Sequence, residues 1–223
     1  MDSDDTKSSN PNSRRADQTQ GRELKEEEFS SALGEELIVT EDMQASEGDE
    51  EPSSPLSESD FEPLALYGFS AKYPKTTRLE LNPKSTREKG DVAFHLEGAL
   101  KIFLSWGSLE EARKRYATAA AQASGSIERS LKSTRARLDG TPETRNIKIQ
   151  EHDAVYTHAK MFVERGGFPF GTRRVFQEAY ALYVHCENTG RYYVVYAFAK
   201  PEATEEVAKI FDPIMSSLKC HLP

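Results

Sequence analysis

The chain has 223 residues and a net charge of −8, which is unevenly distributed. Residues 1–60 hold 18 acidic and 5 basic side chains and a single aromatic residue, Phe29, whereas residues 61–223 carry a net charge of +5. A segment so charged and so poor in aromatic residues cannot bury enough apolar surface to offset its chain entropy. We therefore predict a disordered acidic tail and linker over 1–60 and one α+β domain over 61–223.

The start of the chain, "MDSDDTKSS", is acidic and polar, and no apolar run approaches the length of a membrane span. A secretory signal needs a basic start followed by an apolar run, and a membrane helix needs about 20 apolar residues. We therefore expect a cytoplasmic protein that does not enter a membrane.

Within the tail, the stretch "ALGEELIVTEDM" places three apolar residues between acidic flanks: Leu37, Ile38 and Val39. One interpretation is accidental, transient structure. The other is a short linear motif that folds onto a partner or onto the basic domain of the same chain.

The first half of the domain predicts strands followed by a helix. The stretch "YGFSAKYP", 67–74, is typical of a strand, and residues 91–107 alternate as two strands that reverse at Glu97-Gly98. Ser108 followed by Glu111 matches a capping box and predicts a helix start. The helix should continue through the alanine-rich sequence that follows and be interrupted at Gly125. It should then resume as far as Leu138, and a loop should follow over 139–146.

The second half predicts hairpins and a final helix. One strand pair should turn near Asp153, and a longer pair should close at Asn188-Thr189-Gly190, a strong turn signal. Pro201 suits the first turn of the last helix, and Pro213 should kink it. The apolar stripe of this helix comprises Val207, Ile210, Phe211, Ile214, Met215 and Leu218.

The stretch "ERGGFPFGTRR", 164–174, lies between strands that we expect to end near Val163 and to start near Val175. Disordered arginine–glycine segments that bind RNA repeat their motif many times, and this motif occurs once. Its glycines and proline therefore predict a hairpin loop.

A basic surface is the main candidate for binding. Basic residues recur about every three positions along the predicted helix, and the loop adds basic and aromatic residues: Arg129, Lys132, Arg135, Arg137, Arg165, Phe168, Phe170, Arg173 and Arg174. Such a face is either merely solvated or a surface for phosphates or an acidic partner. The sequence does not establish whether helix and loop share a face.

Residues for catalysis or metal binding are not indicated. The five histidines (His95, His152, His158, His185 and His221) match no metal motif, although His152, His158 and Asp153 could approach across a hairpin. Cys186 and Cys220 predict either reduced core thiols or a bridge between a strand end and the last helix. No nucleophile or nucleotide-binding motif is present. We predict no enzyme activity, no cofactor and no metal.

Several stretches resemble PsbP-like domains, a superfamily that includes the Ran-binding nuclear-import factors. The opening "YGFSAKYP" is similar to the start of those domains, and "ALKIFLSW", "EHDAVYTHAKM", "YYVVYAFA" and "IMSSLK" follow in the same order over about 64–220. The resemblance implies an antiparallel sheet flanked by helices, an α–β–α sandwich, with no catalytic residues to carry over. Export signals of the photosynthetic and lipoprotein members have no counterpart here.

Two functional hypotheses follow. The first is a non-catalytic adaptor that binds an unknown protein partner. The alternative is a nucleic-acid-associated protein with a basic helical face at 113–137 and a loop at 165–174, gated by the acidic tail; it predicts steep salt dependence. The modest charge of the domain favours the adaptor. The oligomeric state is not indicated.

Overall fold

The computed structural model describes residues 57–96, 100–167 and 171–221. The predicted acidic tail up to residue 56, with the motif Leu37, Ile38 and Val39, lies outside the described residues. Phe168 and Phe170 also lie outside them.

The described part of the chain contains ten strands. Their bounds are β1 Phe61–Leu66, β2 Phe69–Pro74, β3 Arg78–Leu81, β4 Gly90–His95, β5 Lys101–Ser108, β6 Arg137–Leu138, β7 Glu143–Ile149, β8 His152–Gly167, β9 Gly171–Cys186 and β10 Arg191–Ala199. Strands β1 and β2 form a hairpin of their own. The other eight form one sheet in the order β3-β4-β5-β10-β9-β8-β6, with β7 also paired to β8, and all pairs are antiparallel.

In the described residues, three α-helices accompany the sheet: α1 Leu109–Arg113, α2 Ala119–Thr134 and α3 Thr204–Ser217. Short 3-10 turns, Glu58–Asp60 and Pro201–Ala203, precede β1 and α3. No helix in this part of the chain is long and apolar enough to cross a membrane. The predicted antiparallel sheet with helices is confirmed.

The two faces of the sheet pack against different helices, because side chains alternate along a strand. On one face, Tyr156 of β8 and Leu182 of β9 join the main core, to which α3 contributes Val207, Phe211, Ile214. On the other face, residues of β8, β9 and β10 pack on Ala119 and Ala123 of α2. The predicted stripe of α3 is confirmed: its remaining residues Ile210, Met215 and Leu218 also pack on the main core.

The helical region differs from the prediction in its break point. The Ser108 hydroxyl does accept a hydrogen bond from the Glu111 N–H at 3.3 Å, as predicted, but α1 ends at Arg113. A second start follows, where the Thr118 hydroxyl caps α2 by accepting from the N–H of the third residue on, at 3.1 Å. Gly125 lies inside α2 and does not interrupt it. The position is occupied by glycine because the Tyr116 ring packs against its Cα, where a Cβ would clash.

The end of α2 also differs from the prediction, which carried the helix to Leu138. Arg135 adopts the left-handed conformation (φ +56°) directly after the helix. Residues 137 and 138 form β6, and Ala136 and Leu138 pack beside Met161 of β8. This tertiary burial outweighs helix propensity, so Arg135 and Arg137 are not helical. The predicted basic helix face is therefore wrong for these two residues, whereas Arg129 and Lys132 lie on α2.

The hairpins are confirmed, with corrections to their limits. The β9–β10 turn contains Asn188-Thr189-Gly190, as predicted, and Gly190 has φ +64°. The β7–β8 turn lies at Gln150 and Glu151 rather than near Asp153, and β7 begins within the predicted loop 139–146. Strands β8 and β9 pair as far as Gly167 and Gly171, well beyond the expected limits near Val163 and Val175.

Candidate functional sites

The extended ends of β8 and β9 form a two-stranded ribbon, which we define as residues 163–167 paired with 171–175. The neighbouring strands stop before it: β10 pairs with β9 only up to Glu178, and β6 reaches only Phe162 of β8. Within the described residues, the ribbon strands therefore pair only with each other. Arg165, Arg173 and Arg174 belong to strands rather than to the predicted loop.

The arginines of the ribbon divide between its two faces. Arg174 is opposite Glu164, and its guanidinium lies 4.6 Å from the centre of the Phe162 ring. Glu164 also lies 3.7 Å from Arg137, which is thus on this same face. Arg165 is directly opposite Arg173 on the other face. Like charges in register destabilise a strand pair, so this second pair has a cost to the fold.

The Arg165–Arg173 face is the one that carries α2. Val163, two residues before Arg165 and therefore on the same face, packs in one cluster with Leu131 of α2. The exposed Lys132 and Arg135 lie at that end of the helix. Part of the predicted basic surface is therefore brought together: Lys132, Arg135, Arg165 and Arg173.

The remaining predicted residues take other roles. Arg129 lies over the Tyr116 ring at 5.3 Å and donates to the Ser126 hydroxyl at 3.4 Å, so it helps to hold α2. Arg137 and Arg174 lie on the opposite face of the ribbon. Phe176 is an exposed aromatic residue of this region, 42% exposed and 5.8 Å from the Phe162 ring. Sequence reasoning missed it because it alternates like an ordinary strand residue.

An open cleft of about 560 Å³ follows the edge of β9 at the base of the ribbon. Its lining includes four cations, two exposed acids and an exposed aromatic ring: Lys160, Arg173, Arg174, Lys200, Asp139, Glu202 and Phe176. Within the described residues, the β9 edge over 171–177 has no partner strand on the side that β10 occupies further along. The cleft thus combines an unpaired strand edge with a small excess of positive charge.

Glu178 is a nearly buried carboxylate at the base of the cleft, with its side chain 7% exposed. It accepts hydrogen bonds from His158 at 2.7 Å and from the Tyr180 hydroxyl at 2.8 Å, and Lys160 lies 3.5 Å away. Burial raises the pKa of the Glu178 carboxyl, but the bonds from Tyr180 and His158 outweigh burial and leave the pKa below its usual value. The carboxylate is therefore charged and fully partnered, which fits a structural role.

A second group of ligand-type side chains lies at the other end of β8 and β9. His152 opens β8, Cys186 closes β9, and Cys220 and His221 follow α3. We call these four residues the Cys-His cluster. One ligand atom from each, a ring nitrogen or a sulfur, lies within 4.8 Å of all the others. Both cysteines are buried and free, and His221 is 22% exposed.

The sulfur and nitrogen atoms of the cluster are in close contact. The Cys186 sulfur lies 3.3 Å from His152 Nε2 and 3.7 Å from His221 Nδ1. The two imidazole nitrogens are 3.4 Å apart, and the Cys220 sulfur is 4.0 Å from His221 Nδ1. Contact with the Cys220 thiol lowers the pKa of the Cys186 thiol to about 4, whereas the same contact and burial raise the pKa of the Cys220 thiol.

Polar residues around the cluster fix its orientation. Glu151 Oε1 lies 3.3 Å from His221 Nε2 and accepts a hydrogen bond from the Asn188 amide at 2.8 Å. Gln150 accepts from the Cys220 N–H at 3.0 Å and from its thiol at 3.2 Å. The Tyr193 hydroxyl donates to the Cys220 carbonyl at 2.9 Å. These bonds hold the segment after α3 against the sheet.

Sequence reasoning missed the Cys-His cluster because its members come from three segments that are far apart in sequence and match no spacing rule. The predicted approach of His152, His158 and Asp153 does not occur: His158 contacts Glu178, and Asp153 pairs with Lys148 at 2.5 Å. The signal that could have found the cluster is register, since His152 and Cys186 each lie two residues beyond the paired Ala154 and Val184.

Comparison with known proteins gives a match in structure alone. No protein-family model matches the chain, and curated proteins give no significant sequence match. The solution structure of cyanobacterial PsbP (CyanoP) from Synechocystis is similar with a TM-score of 0.50 and 12% identity, over 77% of this chain and 99% of that one. A crystal structure from Bacteroides thetaiotaomicron matches with a TM-score of 0.40 and 13% identity, over 69% of this chain and 45% of that one. The arrangement of strands and helices, together with the CyanoP match, shows that this chain has a PsbP-like fold.

Proposed function

We propose that the chain is a non-catalytic, cytoplasmic adaptor that binds an extended, acidic segment of a protein partner at the β9 edge. The observation that carries this proposal is the cleft lined by residues 173–178 of β9, where an unpaired strand edge meets four cations. We also propose that the domain is an α–β–α sandwich, because α2 and α3 pack on opposite faces of the sheet.

An unpaired strand edge can accept one more strand, with backbone hydrogen bonds supplying affinity and alternate side chains supplying specificity. Phe176 offers an exposed ring for an apolar side chain on one face of such a strand. Arg173 on the opposite face and Lys200 across the cleft would favour carboxylates. Charged residues at a strand edge can also serve to prevent unwanted pairing with other chains. Binding measurements distinguish this protective role from recognition of a partner.

The test uses full-length protein and two fluorescent ten-residue peptides, one alternating Glu and Val and one in which the four central residues are replaced by proline, so that both sets of alternate N–H groups are interrupted. We expect only the first to bind, because proline lacks the N–H that a strand partner donates. Arg173→Glu and Phe176→Ser should each weaken binding, the first by up to about five-fold, as for loss of an exposed ion pair. Lys89→Glu, in the distant β3–β4 connection, is the matched charge control.

Equal binding of both peptides, or equal affinity of all variants, would contradict an edge-binding adaptor.

Nucleic acid is the second candidate partner, favoured by the presence of Lys132, Arg135, Arg165 and Arg173 on one side of the molecule. It predicts that single-stranded RNA or duplex DNA binds with a steep salt dependence. In that case Lys132→Glu would weaken binding and Phe176→Ser would not.

A further inference from the structure

The Cys-His cluster contains the four donors of a closed tetrahedral metal site. It combines two sulfur and two imidazole ligands, all from the protein, in a largely buried position. Structural zinc sites use this donor set, whereas catalytic zinc sites keep one position for water. Thiolate ligands disfavour Ca²⁺ and Mg²⁺, which prefer oxygen.

The distances within the cluster fit an ion at its centre. Tetrahedral bonds of about 2.3 Å to sulfur and about 2.0–2.1 Å to nitrogen place two nitrogens about 3.4 Å apart and nitrogen and sulfur about 3.6 Å apart. The His152–His221 nitrogen distance is 3.4 Å, and three of the four sulfur–nitrogen distances are 3.3, 3.7 and 4.0 Å. These four distances are thus close to the edges of such a tetrahedron, and the two remaining pairs of atoms lie within 4.8 Å of each other.

Hydrogen bonding among the four groups does not account for this arrangement. His221 Nδ1 lies within 4.0 Å of His152 Nε2 and of both cysteine sulfurs. One imidazole nitrogen carries either one proton or one lone pair, so it can satisfy only one of these neighbours. A cation between the four atoms would satisfy all of them.

The surroundings of the cluster match the outer shell of a metal site. A metal-bound histidine usually donates its other ring N–H to a carboxylate, which fixes its tautomer. Glu151 occupies this position at His221 Nε2, and Asn188 orients Glu151 in turn. The Cys220 thiol donates its proton to Gln150 and would release that proton on binding a metal.

We infer that the chain binds one Zn²⁺ ion through His152, Cys186, Cys220 and His221, and that the ion fastens the segment after α3 to the sheet. Two ligands come from the ends of β8 and β9, and two come from the segment that follows the last helix. The ion would therefore join the segment after α3 to the ends of β8 and β9, beside the main core to which α3 contributes. This inference does not depend on the proposed adaptor function.

The experiment measures metal on the full-length protein, purified with a reductant. Elemental analysis after reconstitution with Zn²⁺ and desalting should give about one ion per chain. Titration of the reduced apoprotein with Co²⁺ should produce the intense visible bands of tetrahedral cobalt and a near-ultraviolet thiolate charge-transfer band. Addition of Zn²⁺ should remove these bands and raise the thermal midpoint.

The variants distinguish ligands from bystanders. Cys220→Ser and His221→Asn should each lower Co²⁺ affinity by more than the roughly 10–100-fold that loss of an outer-shell partner costs. Glu151→Gln should fall within that smaller range. His95→Asn, at a histidine paired with Glu80 outside the cluster, is the matched control and should bind as the unaltered chain does.

His221→Asn keeps the test decisive if Cys220→Ser fails to fold, because His221 is the partly exposed ligand at the end of the described chain. The inference is overturned if the reduced, folded chain gives no tetrahedral cobalt spectrum. It is also overturned if His221→Asn and His95→Asn bind Co²⁺ equally well. A Cys186–Cys220 disulfide whose reduction restores no metal binding would favour the bridge interpretation instead.

Discussion

Replacement of Glu178 by glutamine tests whether the buried carboxylate stabilises the fold through its charge. The substitution keeps the shape of the side chain but removes the negative charge that His158, Tyr180 and Lys160 surround. Hydrogen bonds to a charged group contribute about 1.5–3 kcal/mol. We therefore expect the free energy of unfolding to fall by about this amount at neutral pH, and the thermal midpoint to fall by about 3–12 °C.

The effect of this substitution should depend on pH in a defined direction. The pKa of Glu178 in the folded chain is lower than its usual value of 4.5. Its stabilising contribution is therefore complete above that usual value and is lost as the pH falls through the lower folded pKa. The difference between the unaltered chain and Glu178→Gln should be full at neutral pH and should shrink once the pH is below 4.5.

Denaturant unfolding followed by the fluorescence of Trp106 measures this difference, since the ring is buried and is the only tryptophan in the chain. Glu128→Gln, at an exposed carboxylate of α2, is the matched control and should change little. A Glu178→Gln protein as stable as the unaltered chain at neutral pH would refute the argument. An equal loss at every pH would assign the cost to side-chain packing rather than charge.

Two further predictions concern α2. Gly125→Ala should lower the free energy of unfolding by about 1–2 kcal/mol in chemical denaturation, because overpacking against the Tyr116 ring exceeds the gain in helix propensity. Adding Gly125→Ala to a chain that already carries Tyr116→Ala should have no such cost. The argument would be contradicted if Gly125→Ala by itself stabilised the chain. Arg135→Gly should raise stability by about 0.5–1 kcal/mol, because glycine adopts the left-handed conformation without strain. Any RNA or DNA binding measured in parallel should weaken in Arg135→Gly, and a loss of stability would show that the Arg135 side chain has a structural partner.

Regular alternation and local capping allowed much of the fold to be predicted from the sequence. Strands β4, β5, β9 and β10, the cap at Ser108 and the stripe of α3 all follow from patterns within a few residues. The errors occur where contacts between distant segments determine the outcome. Gly125 has the local character of a helix breaker, but its lack of a side chain serves the packing of Tyr116.

The candidate sites were predicted less well, because they depend on strand register. Nothing near Arg165 in the sequence shows that β8 and β9 continue as a ribbon, since this requires β10 to end opposite Glu178. The same register divides the arginines between two faces and leaves Phe176 exposed. Spacing rules also could not reveal the Cys-His cluster, whose ligands come from two strand ends and the segment after α3.

Strands β8 and β9 connect the two candidate sites, with the Cys-His cluster at one end and the ribbon at the other. The strand rises about 3.3 Å per residue, so the cluster is about 26 Å from Lys160 in the cleft and about 50 Å from Gly167 at the tip of the ribbon. No charge at the cluster acts directly over either distance at physiological salt, where screening acts within about 8 Å. Metal removal should therefore alter peptide or nucleic-acid binding only if it unfolds the sheet. If His221→Asn weakened binding at a temperature where the fold is intact, the sheet itself would have to transmit the change, and the two sites would form one functional unit.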